Sequence, residues 1–310
     1  MVIFDRYSRP LLNLRVAITQ RCNLNCSYCH REGENKSTTE MAPAEIALFT
    51  QVASELGVRR VKITGGEPLL REDITEIVHR LAKIDGIDEV SLVTNATLLT
   101  SRLAKELRDR GLARVNISLP STDAETYRNL TKGEVSEAIR GVEAAVAAGL
   151  FPTKLNMVVV GEVNEREISS MIEFARRLGT VLQLIELEPV NIDPKFYSEH
   201  RLPLDLTEKE LRDKSISVVS RRYMQNRRVY SLPGVQVEVV RPVENTEFCS
   251  HCARIRLTSD GRLKPCLMRN DNLVDLLGPL RSGRSEEYIR SLFRRANELR
   301  EPFFKESRLE

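Results

Sequence analysis

Six short runs rich in β-branched residues alternate with stretches of helical periodicity, and this alternation constrains the fold of the 310-residue chain more than any other feature. The runs are Leu12 to Ile18, Val61 to Thr64, Glu89 to Thr94, Arg114 to Ser118, Lys154 to Val160 and Val181 to Glu186. Between them apolar residues recur at helical spacing, as in Ile46, Phe49, Val52, Ala53 and Leu56, or Val135, Ile139, Val142 and Val146. Such alternation calls for a parallel sheet with right-handed crossovers, either an open doubly wound sheet or a curved partial barrel. The pattern dissolves near Leu202 to Thr207, where Pro203 and polar residues mark a domain boundary. The length suits one barrel and a smaller appendage.

Side chains alternate between the two faces of a strand. Lys62 and Thr64 therefore share a face opposite Val61 and Ile63, and Asn116 and Ser118 oppose Val115 and Ile117. Lys154 and Asn156 oppose Leu155 and Met157 in the same way, and Arg15 opposes Leu14 and Val16. If the apolar set packs under the helices, the polar set faces inward, and a barrel so lined encloses a polar cavity rather than a packed core. An edge position facing water would explain any one strand. Four strands with the same division favour the cavity.

All six cysteines fall into two triplets, Cys22, Cys26 and Cys29 just beyond the first strand and Cys249, Cys252 and Cys266 near the end. Loops after strand C-termini are where parallel α/β folds place their chemistry. No signal segment precedes Val2 and no run of about 18 apolar residues suggests a membrane span. A cytoplasmic chain with reduced thiols is expected, which makes disulfides the weakest reading. Zinc would need a fourth ligand, and His30 or His251 could supply one. A four-iron cube held by three thiolates instead leaves one iron open to a ligand that is not protein, and the gaps of the first triplet suit such a loop. The net charge of +3 is too balanced for a nucleic-acid surface or a membrane patch.

Two further segments carry chemistry. The second strand ends in Thr64-Gly65-Gly66-Glu67-Pro68, where paired glycines allow close backbone approach to a ligand and the Glu67 carboxylate could satisfy an ammonium group. Around the second triplet, a hairpin turning at Asp260-Gly261 would return Cys266 toward Cys249 and Cys252. It would also set Arg254 and Arg256 on one face, opposite Ile255 and Leu257, as a pair of forks for phosphate oxygens.

The cysteine loop together with Gly65-Gly66-Glu67-Pro68 closely resembles the radical S-adenosylmethionine (SAM) superfamily, across the whole six-unit region. The resemblance implies an α/β fold: a partial (β/α)6 TIM-like barrel over residues 1–206, then a C-terminal α+β auxiliary-cluster domain over residues 207–310. It implies a 4Fe-4S cluster on Cys22, Cys26 and Cys29 whose open iron binds SAM, with Tyr28 and Gly66 contacting SAM through the backbone and Ser118 nearby. On that analogy one electron splits SAM, and the radical formed abstracts a substrate hydrogen.

The second triplet with Arg254-x-Arg256 resembles the GTP 3′,8-cyclases of molybdenum cofactor biosynthesis, the MoaA family. This implies a second 4Fe-4S cluster on Cys249, Cys252 and Cys266 whose open iron takes the guanine base, with Arg15, Lys62, Lys154, Arg254 and Arg256 holding the triphosphate. The implied product is 3′,8-cyclo-7,8-dihydro-GTP. The implied partners are an electron donor and the next pterin-pathway enzyme, and a homodimer is left open. The alternatives are a peptide-modifying radical SAM enzyme with an auxiliary cluster, or a non-catalytic zinc or electron-transfer protein. Three positions depart from the family: Val93-Thr94-Asn95-Ala96 stands for Thr-Thr-Asn-Gly, Glu188 stands for a methionine near SAM, and the chain ends Arg308-Leu309-Glu310 without a paired-glycine tail.

Overall fold

A computed structural model of the chain describes residues 2–304, so the terminal Arg308-Leu309-Glu310 lies outside the described residues. The six expected strands are all present, each within one residue of its sequence boundary: β1 (Asn13–Ala17), β2 (Arg60–Thr64), β3 (Glu89–Thr94), β4 (Arg114–Ser118), β5 (Lys154–Val159) and β6 (Val181–Glu186). Every neighbouring pair is parallel, in sequence order. The crossovers are α1 (Pro43–Glu55), α2 (Ile74–Ala82), α3 (Ser101–Asp109), the pair α4 (Ala124–Thr131) and α5 (Val135–Ala147), and α6 (Ile168–Arg177).

Local chemistry sets where these helices begin. Pro43 opens α1 while the Glu45 carboxylate accepts from the Ala42 N–H at 2.7 Å. The Thr100 hydroxyl caps α3 by accepting from Leu103 N, and the Asp123 carboxylate caps α4 by accepting from Glu125 N and Thr126 N. Their apolar stripes, such as Ile46, Phe49, Val52 and Ala53, are fully buried in one core with Leu14, Val16, Val61, Ile63, Val115, Ile117, Leu155 and Met157. Each large side chain so buried contributes roughly 1.5–3 kcal/mol. The outer face of the strands therefore holds the barrel together and leaves the inner face free for polar groups.

The C-terminal third extends this sheet at both margins. Strands β7 (Ser217–Arg221), β8 (Arg227–Leu232) and β9 (Val235–Val240) join through β9, which runs parallel to β6. Strands β10 (Arg254–Leu257), β11 (Arg262–Lys264) and β12 (Val274–Asp275) join through β10, parallel to β1. The result is one 12-stranded sheet in the order β12-β11-β10-β1-β2-β3-β4-β5-β6-β9-β8-β7. Without these additions β1 and β6 would each present a row of unpaired backbone groups. Residue 206, the end of the barrel read from sequence, falls inside the helix Asp205–Lys214. The two margins also meet, because the Gln225 N–H in the β7–β8 turn donates to His251 O in the loop before β10, at 3.2 Å. Among the described residues, no helix is long and apolar enough to cross a membrane.

Candidate active site

Strand parity delivers a cavity. Arg15, Lys62, Thr64, Asn116, Ser118 and Asn156 all line it, as do the cysteines of both triplets. No disulfide joins any of the six cysteines. Tyr28 and Gly66 share the lining with the first triplet. The β10–β11 hairpin turns at Asp260-Gly261, with Gly261 at φ +79°, and pairs Arg256 with Lys264. Arg254 and Arg256 face the cavity while Ile255 and Leu257 are buried behind them.

The glycine turn after β2 packs against the cysteine loop's own backbone. Gly66 N donates to Thr19 O at 2.8 Å and Glu67 N to Arg21 O at 2.7 Å. A Cβ on Gly66 would stand 2.2 Å from Arg21 O, and one on Gly65 2.3 Å from Thr19 O. The glycines thus seat the loop that carries the cysteines. The ammonium role considered for Glu67 is not what the structure shows. Its fully buried carboxylate accepts from Thr94 Oγ1 (2.7 Å), Asn95 N (2.7 Å) and Leu69 N (3.0 Å), and so ties the turn to the end of β3.

The second cysteine loop is held by the N-terminal segment and the far C-terminus. Arg9 Nη1 donates to Cys249 O at 2.9 Å, Leu12 N and Asn13 N both donate to Ala253 O at 3.0 Å, and the fully buried Arg300 reaches Cys252 O at 2.5 Å.

Charge in the cavity is arranged in pairs. The parallel register sets Arg15 beside Arg256. Glu32 bridges them, with Oε1 2.5 Å from Arg15 Nη2 and Oε2 2.6 Å from Arg256 Nη1, and accepts from Thr64 Oγ1 at 2.8 Å. Burial opposes ionisation of Glu32, yet the two guanidiniums hold its carboxyl well below the usual carboxylate range. Lys62 Nζ donates to Asn116 Oδ1 at 3.1 Å, and burial, then repulsion from Arg114 and Arg15, pulls its ammonium down. Lys154 differs from the other expected bases. It forms a buried pair with Glu238, does not line the cavity, and burial pulls it down to about 8. It stands in register with Asn116 on β4, but Glu238 of β9 takes its charge.

The donor set fits iron-sulfur clusters. Burial, with the neighbouring thiols adding, pushes the Cys26 thiol up, and a bound cationic centre would offset that cost for the thiolate. Both histidines that could complete a zinc site have Nδ1 engaged by backbone groups. His30 Nδ1 accepts from Glu32 N at 3.0 Å and its Nε2 lies 3.9 Å from Glu188, while His251 Nδ1 lies 2.9 Å from Glu247 O. Among the described residues, no three His, Cys, Asp or Glu side chains converge on one ion position. Thiolates of a cube bind separate irons and need no such convergence.

Some lining residues were not singled out from sequence. Gln183 obeys the same parity rule between the buried Leu182 and Leu184 and could have been found by it. Glu32, Gln225 and Arg227 lie in or beside turns, where no periodicity points inward. Val93 lines the cavity with methyl groups only, and Glu188 lines it beside His30.

Comparison with known proteins agrees with this architecture. The family model of the radical SAM superfamily matches residues 16–175, and that of the Molybdenum Cofactor Synthesis C family matches residues 180–306, so the two meet ahead of residue 206. SuiB from Streptococcus suis bound to precursor peptide SuiA is similar in fold, with a TM-score of 0.64 at 15% identity over 84% of this chain and 61% of SuiB. anSMEcpe with bound AdoMet gives a TM-score of 0.55 at 19% identity over 84% of this chain and 76% of its own. Fold and site together define a member of the radical SAM superfamily. A probable GTP 3′,8-cyclase of Methanothermobacter marburgensis is 46% identical over 98% of this chain and 99% of its own length. Those of Methanocaldococcus jannaschii (43%, over 97% and 99%) and Pyrococcus abyssi (44%, over 98% and 100%) are similar to nearly the same extent. The chain belongs to the GTP 3′,8-cyclase family.

Proposed function

We propose that this chain converts GTP to 3′,8-cyclo-7,8-dihydro-GTP, the first step of molybdenum cofactor biosynthesis. One observation carries the reading: Arg254-x-Arg256, next to the second triplet, runs beside β1 with Arg256 in register with Arg15, on the wall of the cavity that also holds the first triplet. A nucleotide spanning that cavity would have its phosphates on guanidiniums and its base and ribose between two cysteine loops.

Cys22, Cys26 and Cys29 would hold one 4Fe-4S cluster and Cys249, Cys252 and Cys266 the other. Loaded with SAM, that first cluster would supply the one-electron chemistry that removes the ribose 3′ hydrogen; closing the bond from the sugar carbon to the guanine 8-carbon would then call for a second electron from the donor and a proton at N7 to reach the 7,8-dihydro product. Gly66, Tyr28 and Ser118 would position SAM. Arg15, Lys62, Arg254 and Arg256 would orient the triphosphate, and their shielding from water strengthens each charged hydrogen bond. Glu32 keeps Arg15 and Arg256 side by side despite their like charge. Lys154 is left out of the phosphate set because Glu238 holds it. The reading requires a low-potential electron donor and a reducing, cytoplasmic setting for the six thiols.

Anaerobic incubation with SAM, a strong reductant and GTP tests it, with 5′-deoxyadenosine and cyclised nucleotide scored separately. Both products should rise when GTP is added. SAM cleavage that responds to another nucleotide or a peptide but not to GTP would overturn the substrate.

A further inference from the structure

The β7–β8 turn brings one more arginine to the cavity. Arg227 opens β8 and Arg254 opens β10, so they come from opposite margins of the sheet. They meet through one side chain: Gln225 Oε1 accepts from Arg227 Nη2 at 2.5 Å and from Arg254 Nη2 at 3.3 Å. Gln225 is buried and held at φ +63°, a conformation uncommon for a residue other than glycine, so the turn spends strain to put this amide where it is. The Arg227 side chain is 10% exposed, lies 5.7 Å from the Phe248 ring centroid, and has a buried Nε with no hydrogen-bond partner.

The two arginine pairs on the cavity wall are bridged by different chemistry. Arg15 and Arg256 share the anionic Glu32, which cancels one of their charges. Arg227 and Arg254 share a neutral amide, which joins them and cancels nothing. Glu238 stands 3.6 Å from Arg227 Nη1, but it already serves Lys154 and Arg221. Crowding like charges in a shielded wall is costly unless an anion compensates them. We propose that Arg227 and Arg254 form a second guanidinium pair for the polyphosphate end of the substrate, and that Gln225 is the positioning residue that assembles the pair without adding a negative charge between them. This rests on the nucleotide triphosphate reading above.

Equilibrium dialysis on protein carrying both clusters tests it, with GTP and guanosine as ligands. Arg227→Ala should weaken GTP binding roughly ten- to a hundredfold, the range for a charged hydrogen bond, and leave guanosine unchanged. Arg227→Lys should recover only part, because an ammonium cannot present a fork. Gln225→Glu is the sharper variant: it accepts from both arginines at least as well, yet its charge should weaken GTP and not guanosine, at unchanged iron content. Wild-type GTP affinity in Arg227→Ala or Gln225→Glu would overturn the proposal, as would equal loss of GTP and guanosine. Wild-type protein that binds GTP no better than guanosine would overturn the triphosphate reading itself.

Discussion

Glu32 and Glu34 are two residues apart and their carboxyls are driven in opposite directions. Glu32 lies between two guanidiniums and stays ionised. For Glu34 burial dominates, pushing it up to about 7 although Ser259 N, Ser259 Oγ and Gln20 Nε2 donate to it. A carboxyl raised in the folded state makes its stabilising contribution below its ordinary value of 4.5 and loses it as pH rises toward 7. The melting temperature should therefore fall between about pH 4.5 and 7, and Glu34→Gln should flatten that part of the profile; equal slopes in both proteins would refute the assignment. At this scale the sequence exposes what periodicity controls. Arg15, Lys62, Arg254 and Arg256 were readable because a strand repeats every two residues. Glu32 and Gln225 were not, because left-handed turn residues at φ +52° and +63° follow no repeat. For Lys154, sequence shows the face but not a carboxylate 84 residues away.

Among the elements, the turn after β2 has little freedom. A methyl group at Gly66 has no room beside Arg21 O, so Gly66→Ala must displace the loop from Thr19 to Arg21 that leads into Cys22, an overpacking cost of about 1–3 kcal/mol. The variant should lose iron from the first triplet while the second, held by Arg9 and Arg300, keeps its share. Full iron content with undiminished SAM binding would show that the loop tolerates the shift. The six barrel strands were legible to within one residue because each combines β-branched composition with burial on its outer face. The C-terminal strands are as short as two residues, and nothing in their composition says which margin of the sheet they join. The β10–β11 hairpin was the exception, since Asp260-Gly261 is a turn signal in its own right.

Over the whole molecule, the C-terminal third is inseparable from the barrel. Its strands pair with both β1 and β6, its loop is tied to Arg9 and Leu12, and Arg290 of the helix Glu286–Glu298 pairs with Glu55 of α1 at 2.5 Å. A chain ending at residue 206 should therefore aggregate rather than fold as a barrel, through the two rows of backbone groups it leaves open. Light scattering and circular dichroism on that fragment would check it; a monomer melting cooperatively would refute it. The same topology bears on how the protein is made. Synthesis runs from the N-terminus at about 5–20 residues per second, so the ribosome releases six parallel strands roughly 5–20 s before the last hundred or so residues that shield their flanks. For that interval the nascent polypeptide displays two sticky borders at once, and the slower its synthesis the longer they stand uncovered.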